Sequence, residues 1–339
     1  MARITGGFRP RQGAVALSRR LSGQCCRPFA TIVRSVLSSF RDYDSAGVEG
    51  SEFASGCRQQ RFVVLIRAVV NRHAAEPAQQ MPNEFSNARA VVTGSSSGIG
   101  RSTALALAAA GCDRQVVHCR SRVDAARQTA SRIGQDVPII AADLAVAEDR
   151  QRLVDEAFDH LQTPTTWIFN AGADVLTGPA AEWSFQQKLE TLWRVDVAGT
   201  IDLARRVAER LSGQTRSNDE PPPSMTFIGW DQAPRGMEGQ AGQMFGPIKA
   251  AVMAFAMSLA QELAPRIRVN VVAPGWIQTA WGETTEGYWD RRARDQSLMG
   301  RWGKPVDVAA AILYAANPQN TFVAGQIIEV NGGWNRRYE

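Results

Sequence analysis

From residue 88 onward, short runs rich in β-branched residues alternate with longer stretches whose apolar positions recur every three to four residues. The first pattern is typical of buried strands and the second of amphipathic helices. Strands are predicted at residues 89–93, 115–119, 137–141, 167–170, 225–229, 268–273 and 326–330. Helices are predicted at residues 101–110, 123–133, 150–160, 185–211, 246–263 and 306–316. This alternation favours an α/β fold in which seven parallel strands form a doubly wound sheet, because parallel strands are joined by right-handed helical crossovers.

Two polar stretches interrupt the alternation. Residues 212–224 contain a proline triplet and several charges, so a loop is expected there. Residues 281–300 form a long excursion with tryptophan and arginine before the last helix. Trp230, Trp276, Trp281 and Trp289 fall on the side where a substrate is expected, where they either line an apolar cavity or pack a lid.

Residues 1–80 differ from the rest of the chain. They carry 12 arginines, no lysine and 5 acidic residues, whereas residues 81–339 carry 26 basic and 28 acidic residues. The net charge of +5 therefore belongs to the first segment and gives no reason to propose nucleic-acid binding. We predict one domain over residues 81–339, preceded by a non-core, disordered extension over residues 1–80.

The extension has two interpretations. Residues 1–41 hold eight arginines and no acidic residue, which is typical of an organellar transit peptide. The other interpretation is upstream sequence read from an over-called start, with Met81 beginning the protein. We adopt this second interpretation, which predicts a cytoplasmic location, and keep an organellar location as the alternative. The longest early apolar run, residues 62–70, contains Arg67 and is too short to span a bilayer, so no membrane association is expected. The five cysteines are an odd, sparse set without metal-ligand spacing, and His73, His118 and His160 stand alone, so a reducing compartment and no metal site are predicted.

A glycine-rich turn follows the first predicted strand directly, with the sequence TGSSSGIG at residues 93–100. Glycine lets the backbone approach a ligand, and the free N–H groups of the helix that follows favour a phosphate. This placement between strand and helix predicts a pyrophosphate site. The residues predicted to form it are Gly94, Ser96, Gly98, Ile99 and Gly100.

Three further motifs follow in order. They are Asn170-Ala171-Gly172 after the fourth strand, Asn270 with Pro274-Gly275 and Thr279 around the sixth, and the ending Arg301-Trp302-Gly303-Lys304-Pro305, Gly325 and Val330-Asn331-Gly332-Gly333. With the glycine turn, they make residues 88–334 resemble the short-chain dehydrogenases/reductases, in the 3-oxoacyl-[acyl-carrier-protein] reductase-like branch. The resemblance implies a Rossmann-type domain, a nicotinamide dinucleotide cofactor, and a homodimer or homotetramer formed through the long helices.

The second strand ends at Arg120-Ser121-Arg122, with no carboxylate for a ribose hydroxyl. Arginine there suits a 2′-phosphate, so NADP(H) is predicted in preference to NAD(H). The resemblance adds further cofactor-binding residues: Asp143, Leu144, Asn170, Ala171, Gly172, Lys249, Pro274, Gly275, Ile277 and Thr279.

The resemblance also implies a catalytic set of a tyrosine, a lysine four residues later, a serine and an asparagine. Lys249 matches the lysine, but Phe245 stands at the tyrosine position and Asp196 at the asparagine position. The serine position falls at Trp230. Because the spacing to Phe245 is about two residues longer than usual, Asp231 or Gln232 is the alternative occupant of the serine's space.

Phenylalanine has no proton to give, and the loss of a positioned general acid costs on the order of 10²–10⁴-fold in rate. Lys249 is expected to pair with Asp196 and to bind the cofactor ribose, or else to be only a surface charge. Asp231 is either a replacement acid or an N-cap or exposed loop carboxylate.

Three functions therefore stay open. The first is an NADP(H)-dependent oxidoreductase, of unknown carbonyl or alcohol substrate, whose proton donor is Asp231 or water. The second is a catalytically silent dinucleotide-binding subunit or sensor. The third is a scaffold that no longer binds dinucleotide, which the undamaged glycine turn disfavours.

Overall fold

The computed structural model describes residues 83–217, 220–285 and 287–336. The predicted extension over residues 1–80 lies outside the described residues. Both interpretations of it therefore stay predictions.

The described residues form a single parallel sheet. Its strands are β1 (Arg89–Val92), β2 (Arg114–Cys119), β3 (Ile139–Ala141), β4 (Thr166–Phe169), β5 (Ser224–Ile228), β6 (Arg268–Pro274) and β7 (Ile327–Val330). They lie in the order β3-β2-β1-β4-β5-β6-β7, and every neighbouring pair is parallel. The predicted seven-stranded, doubly wound sheet is confirmed. The chain reverses its direction of travel across the sheet between β1 and β4, and ligands of such sheets bind at the carboxyl ends of the strands beside that point.

The helices are α1 (Gly98–Ala109), α2 (Val123–Ile133), α3 (Ala147–Leu161), α4 (Phe185–Leu192), α5 (Thr200–Ser212), α6 (Gly239–Leu263), α7 (Ala280–Thr284), α8 (Tyr288–Gln296) and α9 (Pro305–Ala316). A short 3₁₀ helix, Gly178–Glu182, precedes α4. The polar excursion predicted over residues 281–300 thus contains two helices, α7 and α8.

The helix predicted over residues 185–211 is not one helix. It runs as α4, then a π-helical segment at Trp193–Gly199, and then α5. A π turn holds one extra residue, and such turns often mark functional positions. Here the segment carries Asp196 into the interior, where this side chain is 3% exposed. Apolar periodicity over three turns could not distinguish this arrangement from a regular helix.

Hydrophobic cores cover both faces of the sheet. Successive strand residues point to opposite faces, so Val91 packs with α3, α5 and α6, while Val92 packs with α1 and α9. Strands covered on both faces are largely apolar. Among the described helices, α6 alone is long and apolar enough to cross a membrane, and its buried residues belong to the core beside β5 and β6.

Candidate active site

Several positions of the turn between β1 and α1 require glycine. Gly94 and Gly98 have φ angles of +68° and +54°, which favour glycine. A Cβ on Gly100 would lie 2.4 Å from the carbonyl oxygen of Gly94. No side chain caps the first N–H groups of α1, and Ser97 at the cap position is exposed. This open helix terminus fits a pyrophosphate, whose charge the free N–H groups and the helix dipole would bind.

The segment after β4 is fixed against this turn by Thr93. The Thr93 hydroxyl accepts hydrogen bonds from the N–H groups of Asn170 at 2.9 Å and Ala171 at 3.0 Å. Nδ2 of Asn170 donates to the Thr93 carbonyl at 2.9 Å. The Asn170 side-chain amide and two backbone N–H groups of this segment are thus engaged with Thr93.

The carboxyl ends of β2 and β3 lie next to each other at the same edge. Arg120, Ser121 and Arg122 are all exposed there. Oδ1 of Asp143 accepts from the N–H of Ala145 at 2.9 Å, which shapes the loop after β3. At this end of the cleft, the exposed charges of Arg120 and Arg122 thus lie beside a loop that a hydrogen bond from Ala145 to Asp143 holds in shape.

The loop after β6 approaches the glycine turn from the other side. A Cβ on Gly98 would lie 3.6 Å from Cγ2 of Thr279, so that side chain faces the turn. The N–H of Gly275 pairs with Val330 of β7 at 3.0 Å. The Ile277 side chain, by contrast, is buried in the core beside α1 and α9, so only its backbone is available to a cofactor.

Lys249 and Asp196 form an ion pair, with 3.3 Å between Nζ and Oδ2. Asp196 is oriented by the N–H of Ala173, which donates to Oδ1 at 2.8 Å. The Lys249 side chain keeps 17% of its surface exposed. Phe245 lies one turn earlier on α6, is half-buried, and packs against the core.

Asp231 lies in a different environment, under the loop after β6. Its N–H donates to the Pro274 carbonyl at 3.1 Å, and Oδ2 accepts from Nδ2 of Asn331 at 3.0 Å. Burial raises the pKa of Asp231 to about 6; the negative charge of Glu329 raises it further, while Asn331, Arg235 and the backbone N–H of Gln232 act against the rise. Oδ1 of this carboxyl is buried without a hydrogen-bond partner in the described part of the chain.

The three candidates for the serine's space, Trp230, Asp231 and Gln232, lie in different surroundings. Trp230 is half-buried directly before it, and Gln232 is buried directly after it with Nε2 unpartnered among the described residues. The Asp231 contacts lead to Asn331, Arg235 and the loop after β6. The interpretation of Asp231 as an exposed loop carboxylate is therefore wrong.

Sequence reasoning missed His118, which it treated as an isolated histidine. His118 is buried in β2, and Nδ1 accepts from the N–H of Gly94 at 2.9 Å. Burial lowers the pKa of His118 to about 4, although Ala142, Asp143 and Asp149 oppose that effect. The available signal was its position, two residues before Arg120 at the end of the strand beside the glycine turn.

A second missed group is the cluster on α8. The Arg292 guanidinium lies 5.4 Å from the Trp289 ring centroid and 5.9 Å from that of Trp276. It also pairs with Glu238, to which the Tyr288 hydroxyl donates at 2.9 Å. These contacts tie α8 to the start of α6, and the Trp276 and Trp289 rings pack against each other with their centroids 5.9 Å apart.

Comparison with known proteins agrees with this geometry. A family model described as enoyl-(acyl carrier protein) reductase matches residues 94–335. The chain belongs to the short-chain dehydrogenase/reductase family. An Arabidopsis thaliana short-chain dehydrogenase/reductase is 28% identical to this SDR, over 76% of this chain and 99% of the relative. The 3-oxoacyl-[acyl-carrier-protein] reductase of Aquifex aeolicus is 28% identical, over 72% of this chain and 95% of the relative.

Solved structures of other SDRs share the fold. A Brucella melitensis short-chain dehydrogenase/reductase superposes with a TM-score of 0.65 at 28% identity, over 76% of this chain and all of that one. A Burkholderia cenocepacia short-chain dehydrogenase in complex with NADP gives a TM-score of 0.63 at 25% identity, over 75% of this chain and 99% of that one. The predicted resemblance to the family is confirmed.

Proposed function

We propose that this SDR is an NADP(H)-dependent oxidoreductase acting on a carbonyl or alcohol substrate, with Asp231 as its proton donor. Asp231 carries the proposal, because it is a buried carboxyl with one oxygen bound by Asn331 and the other without a hydrogen-bond partner among the described residues. Its Oδ2 would lie 3.1 Å from a Cβ on Gly275, a residue that the family pattern assigns to the cofactor. Water is the alternative proton source.

The chain's residues fit a dinucleotide. The open N-terminus of α1 would take the pyrophosphate, and the exposed Arg120 and Arg122 a 2′-phosphate. The relative from Burkholderia cenocepacia, crystallised with NADP, supports this choice of cofactor. When bound, the nicotinamide supplies or takes up a hydride. Lys249, held by Asp196, would bind the ribose.

Asp231 replaces a hydroxyl that Phe245 lacks. A carboxyl with a pKa of about 6 keeps roughly a tenth of its protons at pH 7, which is enough for a general acid. Since Oδ2 accepts from Asn331, we assign the proton of the neutral acid to Oδ1. Reduction should therefore slow as the pH rises above about 6.

The test starts with calorimetric titration of the full chain with NADPH and NADH. NADPH oxidation is then followed with a panel of ketones, ketoacyl thioesters and pterins. We expect Asp231→Asn to lower kcat by about 10²–10⁴-fold with little change in the Kd of NADPH. The matched variant Glu329→Gln removes a negative charge that raises the Asp231 pKa, so it should shift the pH profile to lower pH.

Three outcomes distinguish Asp231 from water as the proton donor and test whether the protein is an oxidoreductase. An unchanged rate and profile in Asp231→Asn would assign proton transfer to water. Steady turnover lost in both Asp231→Asn and Lys249→Ala supports the proposal. Tight NADPH binding with no oxidation of NADPH by any substrate would refute it.

A silent dinucleotide-binding subunit or sensor is the second candidate. Phe245 favours it, because this side chain packs against the core where the family pattern has an acid. The same experiments separate the two functions: a sensor binds NADPH without turnover, and Phe245→Tyr would leave it inactive unless the serine position is restored with Trp230→Ser.

A further inference from the structure

His118 joins three parts of the cofactor cleft. It lies in β2, is 2% exposed, and its ring lies between the turn after β1 and the loop after β3. On one side Nδ1 is 2.9 Å from the backbone nitrogen of Gly94. On the other, Nε2 is 3.0 Å from the carbonyl oxygen of Ala142.

These partners determine where the proton of the ring resides. The N–H of Gly94 can only donate, so Nδ1 must be the unprotonated acceptor. The carbonyl of Ala142 can only accept, so Nε2 carries the hydrogen and donates it. The neutral Nε2–H tautomer therefore satisfies both contacts, and a proton on Nδ1 would set two donors against each other.

The backbone of His118 strengthens the same connection. The N–H of Ser95 donates to the His118 carbonyl at 3.0 Å, and the His118 N–H donates to Oγ of Ser95 at 3.0 Å. Gly94 and Ser95, the second and third residues of the turn, are thus both bonded to one residue of β2. The later N–H groups, at the uncapped start of α1, stay open to a ligand.

We propose that His118 is a positioning residue of the cofactor site, whose neutral imidazole holds the phosphate-binding turn and the loop after β3 in the conformation that receives the dinucleotide. The proposal rests on the proposed binding of NADP(H). It follows from the two ring contacts, which reach Gly94 in the phosphate-binding turn and Ala142, the neighbour of Asp143, which the resemblance assigns to the cofactor site.

Two substitutions separate positioning from simple core packing. Oδ1 of asparagine is attached at Cγ, as Nδ1 of histidine is, so His118→Asn keeps an acceptor for Gly94. The amide of His118→Gln lies one bond farther out, near the Nε2 position, and leaves the Gly94 N–H without an acceptor. A buried N–H without a partner is unfavourable.

We expect His118→Asn, which keeps the contact to Gly94 but loses the one to Ala142, to bind NADPH up to about threefold more weakly than the unchanged chain, and His118→Gln about tenfold more weakly. The ¹⁵N shifts of the imidazole should show the neutral Nε2–H tautomer at pH 7. His160→Asn, at an exposed position, is the control and should leave binding unchanged. Equal affinity in the Asn and Gln variants, or an imidazole protonated on Nδ1, would overturn the proposal.

Failure of the proposed function gives a different result. If the unchanged chain binds no NADPH, the proposed function is wrong. The positioning role of His118 is then tested without ligand. Hydrogen exchange of the amides in residues 93–100 should be faster in His118→Gln than in His118→Asn. Equal exchange rates in the two variants would refute the positioning role of His118 as well.

Discussion

At the scale of single residues, Arg120 and Arg122 should decide which dinucleotide is preferred. Both are exposed at the end of β2, where the chain has no carboxylate. We expect the double substitution to alanine to weaken NADPH binding by about 10–100-fold, since hydrogen bonds to charged groups contribute about 1.5–3 kcal/mol. Binding of NADH should hardly change, because it lacks the 2′-phosphate. Calorimetric titration with both dinucleotides measures the difference.

The control for this prediction is Arg127→Ala. Arg127 is also exposed, but it pairs with Asp124 on the surface of α2, and such pairs contribute little. It should leave both affinities unchanged. Equal loss of NADPH and NADH affinity in the double variant would mean that the two arginines act on the pyrophosphate or on the fold.

At the scale of elements, the π-helical segment is fixed where α5 begins. A Cβ on Gly199 would lie 2.4 Å from the carbonyl oxygen of Leu144, in the loop after β3. We expect Gly199→Ala to lower the free energy of unfolding by about 1–3 kcal/mol, because overpacking against rigid backbone forces α5 to move. Urea denaturation measures this change.

The matched substitution lies at the other end of α5. A Cβ on Gly213 would meet nothing closer than 3.5 Å, and its φ of −76° suits any residue. Gly213→Ala should therefore leave stability unchanged or raise it by up to about 1 kcal/mol, since it restricts the unfolded chain. If the two substitutions had the same effect, the close approach of Gly199 to Leu144 would not constrain the fold.

At the scale of the whole molecule, His118 makes stability depend on pH. Its pKa is lowered to about 4 when folded, mainly by burial, against a usual value of 6.5. Asp143 and Asp149 act to raise this pKa and Arg152 to lower it. Between these two values the unfolded chain binds the additional proton, so stability is full above pH 6.5 and falls as the pH is lowered towards 4.

The expected size is about 1.4 kcal/mol for each pH unit within that window. Between pH 7 and pH 5 the unchanged chain should thus lose about 2 kcal/mol more than His118→Asn, which has no group titrating there. Urea denaturation at the two pH values gives both losses. His160→Asn, whose histidine is exposed, should behave as the unchanged chain does. Equal losses in all three would show that His118 does not titrate in this window.

The sequence predicted more of the fold than of the chemistry. Strand positions followed from buried β-branched runs, and the glycine turn from its place between β1 and α1, because local patterns determine both. Lys249 and its expected partner Asp196 do form an ion pair. The burial of Asp231 could not be predicted, because Asn331 covers it from a strand end 100 residues away.

By itself, the sequence determined the parallel sheet, the family and the residues that face the strand ends, since these follow from periodicity and from local turns. Only the tertiary structure decided the protonation of the interior groups. The pKa values of His118 and Asp231 depend on burial and on partners from distant strands and loops. The π turn that carries Asp196 to Lys249 was likewise decided by packing, because the close approach of Gly199 to Leu144 is a contact between elements far apart in the chain.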